Sequence, residues 1–306
     1  MISHVTVLTN PMSGHGNAPH AAERAVARFQ ALGIDVTSIV GRDAAHAREL
    51  VDDALTRETD ALVVVGGDGV IRLALQALAR KDIPLGIVPA GTGNDHAREY
   101  RLPTADPEAA VDLIAAGHLE TVDLGHIQSS DGTSTWFGTV AATGFDSLVS
   151  DRVNRMRWPH GRMRYNVAMV AEIYRLRPLP FRMVLDGERE IVTDLTLAAF
   201  GNTRSYGGGM LICPGANHRD GLLDITMVHS SSRTKLIRLF PTVFKGTHVN
   251  LEEVSTDRAR TITVDSPGIN AYADGDYACP LPAEISAVPG ALKIFVRAPS
   301  PSSASD

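Results

Sequence analysis

The first third of the chain switches repeatedly between short apolar runs and longer stretches with apolar residues at helical spacing. Val5-Thr6-Val7-Leu8-Thr9 predicts a strand, broken by Asn10-Pro11 and a Gly/Ser-rich turn. An Ala-rich stretch from about His20 to Leu32 predicts a helix, then a strand follows around Ile34 to Val40 and a second helix over roughly Ala44 to Arg57. Ala61-Leu62-Val63-Val64-Val65 is apolar at every position, the pattern of a parallel strand buried on both faces. After Gly66 to Gly69 the pattern predicts a helix through Ala79 and the strand Leu85-Gly86-Ile87-Val88. This alternation implies a doubly wound α/β sheet, with ligands at the carboxyl ends of its strands.

The rhythm changes near Val122. Strand-like runs at Trp136 to Ala141, Arg182 to Leu185, Asp194 to Phe200, Leu223 to Val228 and Arg260 to Val264 are separated by Gly, Asp and Pro turns, which predicts an antiparallel second domain. Two helical inserts are expected in it, near Arg162–Arg175 and Arg233–Phe244. The expected organisation is an α/β nucleotide-binding domain over 1–125, joined again by a returning segment at about 288–298. A β-rich domain over 126–287 and a disordered Ser/Pro tail over 299–306 complete it.

Composition narrows the function. The 306 residues carry a net charge of −6, which argues against a general nucleic-acid binder, because counterion release needs clustered Lys and Arg. The two cysteines, Cys213 and Cys279, make neither a disulfide framework nor a zinc site. No secretory signal and no run of bilayer-spanning length is visible, so a cytoplasmic protein with only peripheral membrane contact is expected.

Candidate chemistry sits in the turns. Gly66-Gly67-Asp68-Gly69 directly follows the buried strand; glycines there let a backbone approach a polyphosphate, and the next helix N-terminus favours negative charge. An aspartate among phosphates implies Mg²⁺ between them, while a tight turn with an Asp cap is the plain alternative. Pro89-Ala90-Gly91-Thr92-Gly93-Asn94-Asp95 follows the neighbouring parallel strand, and Asn10-Pro11-Met12-Ser13-Gly14 follows the first. Three such loops at equivalent topological positions point to one cleft. There is no G-x-x-x-x-G-K-[ST] loop, and no G-x-G-x-x-G opens the first helix. Asp220-Gly221 and Asp274-Gly275 also read as ordinary inter-strand turns.

The ordered set NPxSG, GGDG, GTGND and a late DG-acidic element resembles the bacterial diacylglycerol kinase family, including the YegS-like lipid kinases, from about His4 to Val296. The resemblance implies ATP as donor, an N-terminal α/β domain and a C-terminal antiparallel β-sandwich. It implies ATP contacts from Asn10, Pro11, Ser13, Gly14, Gly41, Gly66, Gly67, Asp68, Gly69, Val70, Ile71, Arg72, Leu73 and Thr92. Asp68, Asp95 and Asp123 resemble the carboxylates around a catalytic Mg²⁺, partly through water. Asn217, Asp220 and Leu222 resemble a structural Mg²⁺ loop. In Tyr272-Ala273-Asp274-Gly275-Asp276, Asp274 resembles the catalytic base, with Asp276 its rival. Relatives commonly show a Thr at Gly41, and Thr, Asn and Glu at Val70, Arg72 and Leu73. Diacylglycerol is the expected acceptor; a sphingoid lipid or NAD, or a regulatory nucleotide-binding protein, are the alternatives. A homodimer is left open.

Arg152, Arg155, Arg157, Arg162, Arg164, Arg175 and Arg177 mix with Met156, Trp158, Met163, Tyr165 and Met169. Such a segment suits an anionic membrane surface, at about 1 kcal/mol for each well-placed Arg, although a packed helix with solvated arginines has the same composition. Reversing the charge of Arg155 and Arg157 is expected to weaken co-sedimentation with anionic vesicles while ATP binding is kept; unchanged sedimentation would refute the membrane reading.

Overall fold

The computed structural model describes residues 2–11, 13–156, 167, 178–229 and 232–298. The chain divides into two compact units, Met1–Val122 with Gly290–Asp306, and Asp123–Pro289.

In the first unit, β1 (His4–Thr9), β2 (Asp35–Val40), β3 (Ala61–Gly66) and β4 (Leu85–Pro89) form a parallel sheet in the order β2-β1-β3-β4. The end of β15 (Ala283–Phe295) extends it beside β4, with Ile294 opposite Leu85. Four helices connect these strands: α1 (Ala18–Ala31), α2 (Ala44–Ala54), α3 (Asp68–Leu78) and α5 (Pro107–Ala115), with the short α4 (Asp95–Glu99) before α5. Phe29 of α1 and Ile114 of α5 pack with Val5, Val7, Val63 and Val65 in one core. Alternation along a strand sends Leu62 and Val64 to the opposite face, and both are fully buried. Every residue of β3 is buried, as its unbroken apolar run requires.

The second unit is antiparallel. It contains β5 (Leu119–Ser129, from Asp123 onward), β6 (Ser134–Phe137), β7 (Val140–Gly144), β8 (Leu179–Leu185), β9 (Arg189–Gly201) and β10 (Leu223–His229). It continues through β11 (Val254–Ala259), β12 (Thr261–Asp265), β13 (Asn270–Ala273), β14 (Asp276–Pro280) and the start of β15. β9 pairs with β7, β8 and β10 and organises the unit. Its register against β10 skips Thr196, since Leu197 faces Val228 and Leu195 faces His229. That extra residue reverses the facing of everything beyond it. Leu195, Ala198 and Phe200 accordingly enter one core with Phe137 and Phe181, while Leu197 and Ala199 enter another with Val140, Val228 and Val254. Cys213 and Cys279 are free and buried, and burial pushes their thiols up to about 12 and about 11.

Two expectations need correction. Trp136 to Ala141, read as one strand, is two: β6 ends at Phe137 and β7 begins at Val140, with Gly138 and Thr139 in the break. The helix α6 (Phe145–Arg155) was not expected. The insert near Arg233–Phe244 is a helix over Arg233–Val243, whereas the one near Arg162–Arg175 and the tail from 299 lie outside the described residues.

Gly125 of β5 faces Phe137 of β6, and a Cβ built on it would meet the phenyl ring at 2.0 Å. Gly125→Ala is therefore expected to destabilise the protein by about 1–3 kcal/mol, read as a lowered denaturation midpoint at unchanged m-value. An unchanged midpoint would show that the ring moves freely.

Candidate functional site

The three Gly-rich loops of the first unit leave the carboxyl ends of β1, β3 and β4 and are tied together. The Asn10 N–H donates to the Val65 carbonyl at 3.3 Å, and the Ala90 N–H to the Gly66 carbonyl at 2.8 Å. Gly66 faces Ser13, whose Oγ would lie 2.9 Å from a Cβ added there. Gly67 and Gly91 meet backbone to backbone; a Cβ on Gly91 would stand 2.4 Å from the Gly67 Cα. Asn94 fixes the second loop in left-handed conformation (φ 53°), its side chain accepting from the Gly91 N–H at 3.1 Å and donating to the Gly91 carbonyl at 3.0 Å.

This arrangement brings Asp68 and Asp95 together. Asp68 opens α3, where its charge suits the helix N-terminus. A Cβ on Gly93 would lie 2.7 Å from Asp68 Oδ2 and 3.7 Å from Asp95 Oδ2, so both oxygens flank a space that only glycine leaves open. Asp95 is buried and its Oδ1 accepts from Arg98 at 2.6 Å, while Arg98 also donates to the Gly93 carbonyl at 2.9 Å. Burial pushes the Asp68 carboxyl up, but the hydrogen bond and charge of His96, with the N–H groups of His96 and Asp95, outweigh it and hold the group below the usual carboxylate range. Two carboxylate oxygens beside an open space are a hard-oxygen set that fits Mg²⁺. Asn94, His96 and Arg98 were not among the expected site residues; an Asn-Asp pair before a helix, followed by His and Arg, is the signal that was available.

The other expected ATP contacts divide by burial. Thr92 and Gly69 are exposed, whereas the Val70 and Ile71 side chains are buried in the core beneath α3 and their N–H groups donate to the Gly67 carbonyl at 3.1 and 3.3 Å. Arg72 and Leu73 are half-buried. Gly41 is packed against the start of α2, so that a Cβ there would fall 2.4 Å from the Ala47 Cβ and 2.7 Å from its Cα.

The second unit presents its own cluster. Asp274 begins the turn between β13 and β14 with φ 51°. Its carboxylate accepts from the Gly138 N–H at 2.9 Å, the Thr139 N–H at 2.8 Å and the Thr139 hydroxyl at 2.6 Å, the groups exposed by the break after β6. Asp276 is exposed at the start of β14. Buried Asn202 donates to the carbonyls of Asp123 and Gly138 at 3.0 and 2.9 Å. The Asp123 carboxylate accepts from the Gly221 N–H at 2.8 Å, which anchors it on the 217–222 loop. In that loop the Asn217 carbonyl accepts from the Arg219 N–H, Asp220 Oδ1 accepts from the Leu222 N–H at 3.1 Å, and Asp220 Oδ2 is paired with Arg258. Arg258 also bonds to Asp224. Burial pushes the Asp224 carboxyl up; Arg258 opposes that shift and the Asp220 charge adds to it. Asp220 thus has a protein cation beside it, and the structural Mg²⁺ reading of Asn217, Asp220 and Leu222 rests on resemblance.

Comparison with known proteins decides the family. Residues 4–127 match the diacylglycerol kinase catalytic domain, and residues 139–296 match the YegS C-terminal NAD kinase beta sandwich-like domain. The diacylglycerol kinase of Mycobacterium tuberculosis (strain H37Rv) is 68% identical over 294 residues, covering 96% of this chain and 95% of that protein. This chain belongs to the diacylglycerol kinase family. The Bacillus subtilis diacylglycerol kinase is 25% identical, with 91% of each chain covered. A crystal structure of a diacylglycerol kinase from Bacillus anthracis superposes with a TM-score of 0.71 at 20% identity, covering 98% of both chains. An NAD kinase from Archaeoglobus fulgidus, solved in complex with ATP, gives 0.55 at 15% identity, covering 95% of this chain and 93% of that one. At these identities the two structures speak for the fold: an α/β domain followed by a β-sandwich, as expected. The sphingoid-lipid, NAD and regulatory alternatives are not favoured.

Crowding at Gly41 explains why this diacylglycerol kinase relative lacks a side chain there. Gly41→Ala is expected to destabilise by about 1–3 kcal/mol, read as a lowered denaturation midpoint, and Ala47→Gly in the same chain to recover little of that loss, because the backbone Cα and N of residue 47 would still stand 2.7 and 2.8 Å from the added Cβ. An unchanged midpoint for Gly41→Ala would contradict the contact.

Proposed function

We propose that the Gly-rich loops of the first unit hold the triphosphate of ATP and that Asp274 accepts the proton of a diacylglycerol hydroxyl. The reaction is that of an ATP-dependent diacylglycerol kinase. The lipid oxygen bonds to the γ-phosphorus, the bond to the β-phosphate bridging oxygen breaks, and the products are ADP and phosphatidic acid. The observation that carries this reading is 68% identity to a diacylglycerol kinase over almost the whole chain, in a sequence that contains all three Gly-rich loops.

The roles follow from the chemistry of each group. Backbone N–H groups of Gly67, Asp68 and Gly69, at the N-terminus of α3, favour phosphate oxygens, whereas those of Val70 and Ile71 donate to the Gly67 carbonyl. Ser13 adds a hydroxyl, and Asn10, Gly14 and Thr92 line the remaining loops. Mg²⁺, when bound, neutralises charge on the phosphate oxygens; Asp68 and Asp95 would hold it, and Asp123 keeps the role that the resemblance gives it. Asp274 has both carboxylate oxygens oriented by Gly138 and Thr139, which fixes its direction at little entropic cost. Asp276 is exposed and on a different strand end, so it is the weaker candidate for the base. The acceptor is reached at an anionic membrane surface by peripheral association. No described helix is long and apolar enough to cross a membrane. Most of the Arg- and Met-rich segment assigned to this contact lies outside the described residues, Arg157 and Trp158 included.

The test is phosphate transfer from radiolabelled ATP to diacylglycerol in mixed micelles, compared with sphingosine and NAD. Diacylglycerol is expected to be the preferred acceptor. Asp274→Ala is expected to lose roughly 10²-fold or more in kcat while Mg·ATP binding is retained, and Asp276→Asn to stay close to the parent. The reverse ranking would move the base to Asp276, and transfer only to NAD would overturn the lipid assignment.

A further inference from the structure

His96 is the side chain that grips Asp68. It is the second residue of α4 and is 1% exposed. Its Nδ1 lies 3.1 Å from Asp68 Oδ1, and its backbone N–H donates to the same oxygen at 3.3 Å. An ionised carboxylate only accepts, so Nδ1 is the nitrogen that carries the hydrogen. An imidazole is expensive to bury unless it is hydrogen-bonded, and an apolar residue would fill the same space without that cost. Here the bond goes to the one carboxylate of the GGDG loop.

The consequence is directional. Rotation about the carboxylate torsion is soft, and fixing one oxygen fixes the other. With Oδ1 turned to His96, Oδ2 is turned to the opening at Gly93 that it shares with Asp95 Oδ2. The latch also joins two segments far apart in sequence, α3 after β3 and α4 after β4.

We infer that His96 is a positioning residue for phosphoryl transfer, holding Asp68 so that its second oxygen faces the magnesium nucleotide. The inference rests on reading Asp68 as a metal ligand. Partners of this kind, one step behind the metal ligands, commonly govern metal affinity by about 10–100-fold.

The test compares three variants. In His96→Asn the side-chain amide nitrogen falls near the place of Nδ1; in His96→Gln it falls near the place of Nε2; His96→Leu has no donor. Binding of Mn²⁺ in the presence of a non-hydrolysable ATP analogue is followed by electron paramagnetic resonance, beside kcat and the KM for diacylglycerol. His96→Leu and His96→Gln are expected to bind Mn²⁺ about 10–100-fold more weakly and to lose kcat, with the lipid KM unchanged. His96→Asn is expected to recover both toward the parent. A merely structural role would move Asn and Gln alike, and equal behaviour of those two overturns the inference even if the Leu variant does not fold. Asp68→Asn separates the premise from the conclusion. If it binds Mn²⁺ like the parent, the metal-ligand reading itself fails; if it is impaired while the His96 variants are not, only the role of His96 fails.

Discussion

Two backbones can approach as Gly67 and Gly91 do only when neither carries a side chain. An added Cβ on either would stand within 3.0 Å of the opposite Cα, and backbone on both sides leaves nothing flexible to yield. This contact lets the loops after β3 and β4 behave as one body. The Ala90 N–H to Gly66 carbonyl bond closes it on one side, and the two-point clamp of Asn94 on Gly91 closes it on the other. The positions of Asp68, Asp95 and His96 follow from it. Each is the first or second residue of a helix that starts where one of these loops ends. Moving the loops apart would separate the carboxylates before it disturbed either helix.

The second unit reaches precision by a different route. Asp274 lies in a left-handed turn, where its own N–H still donates to the Val140 carbonyl at 3.1 Å. Its carboxylate takes over the Gly138 and Thr139 donors that a continuous β6–β7 strand would have spent on a neighbour. Asn202 ties the same break to Asp123. Charge-assisted bonds of this kind are stronger than neutral ones and hold the group without burying it. A carboxylate so restrained has a fixed orientation and keeps partial solvent access.

What the sequence made legible were the features with strong local causes. The unbroken apolar run at Ala61–Val65 gave a fully buried parallel strand, and the glycines after it gave the loop. Less legible were features decided by partners distant in the chain. Trp136 to Val140 is aromatic or β-branched apart from Gly138, a small local signal, and Asp274, far along the chain, takes the donors at Gly138 and Thr139 where the strand is split. His96 reads as an ordinary early-helix residue until Asp68 is placed beside it. The reversal of facing at Thr196 in β9 depends on the register of β10 and leaves no trace in local composition.

The departures after GGDG look more serious in the sequence than in the fold. Val70 and Ile71 are 4% and 1% exposed, and Val70 packs toward Gly66. A hydroxyl at position 70 would lie in that apolar contact and would need a partner there. Replacing it with a methyl group exchanges a polar contact for packing under the loop. The N–H groups at the start of α3 are unaffected, because their direction is set by the helix and not by its side chains. Phosphate recognition that relies on backbone N–H groups and a helix terminus therefore tolerates Val at this position, and the same reasoning covers Gly41, where a side chain would collide with Ala47. On the proposed reading, the backbone part of the phosphate-binding pattern is present and the side-chain part varies, which leaves Asp68 and Asp95, held by His96 and Arg98, as the polar side chains fixed by other residues.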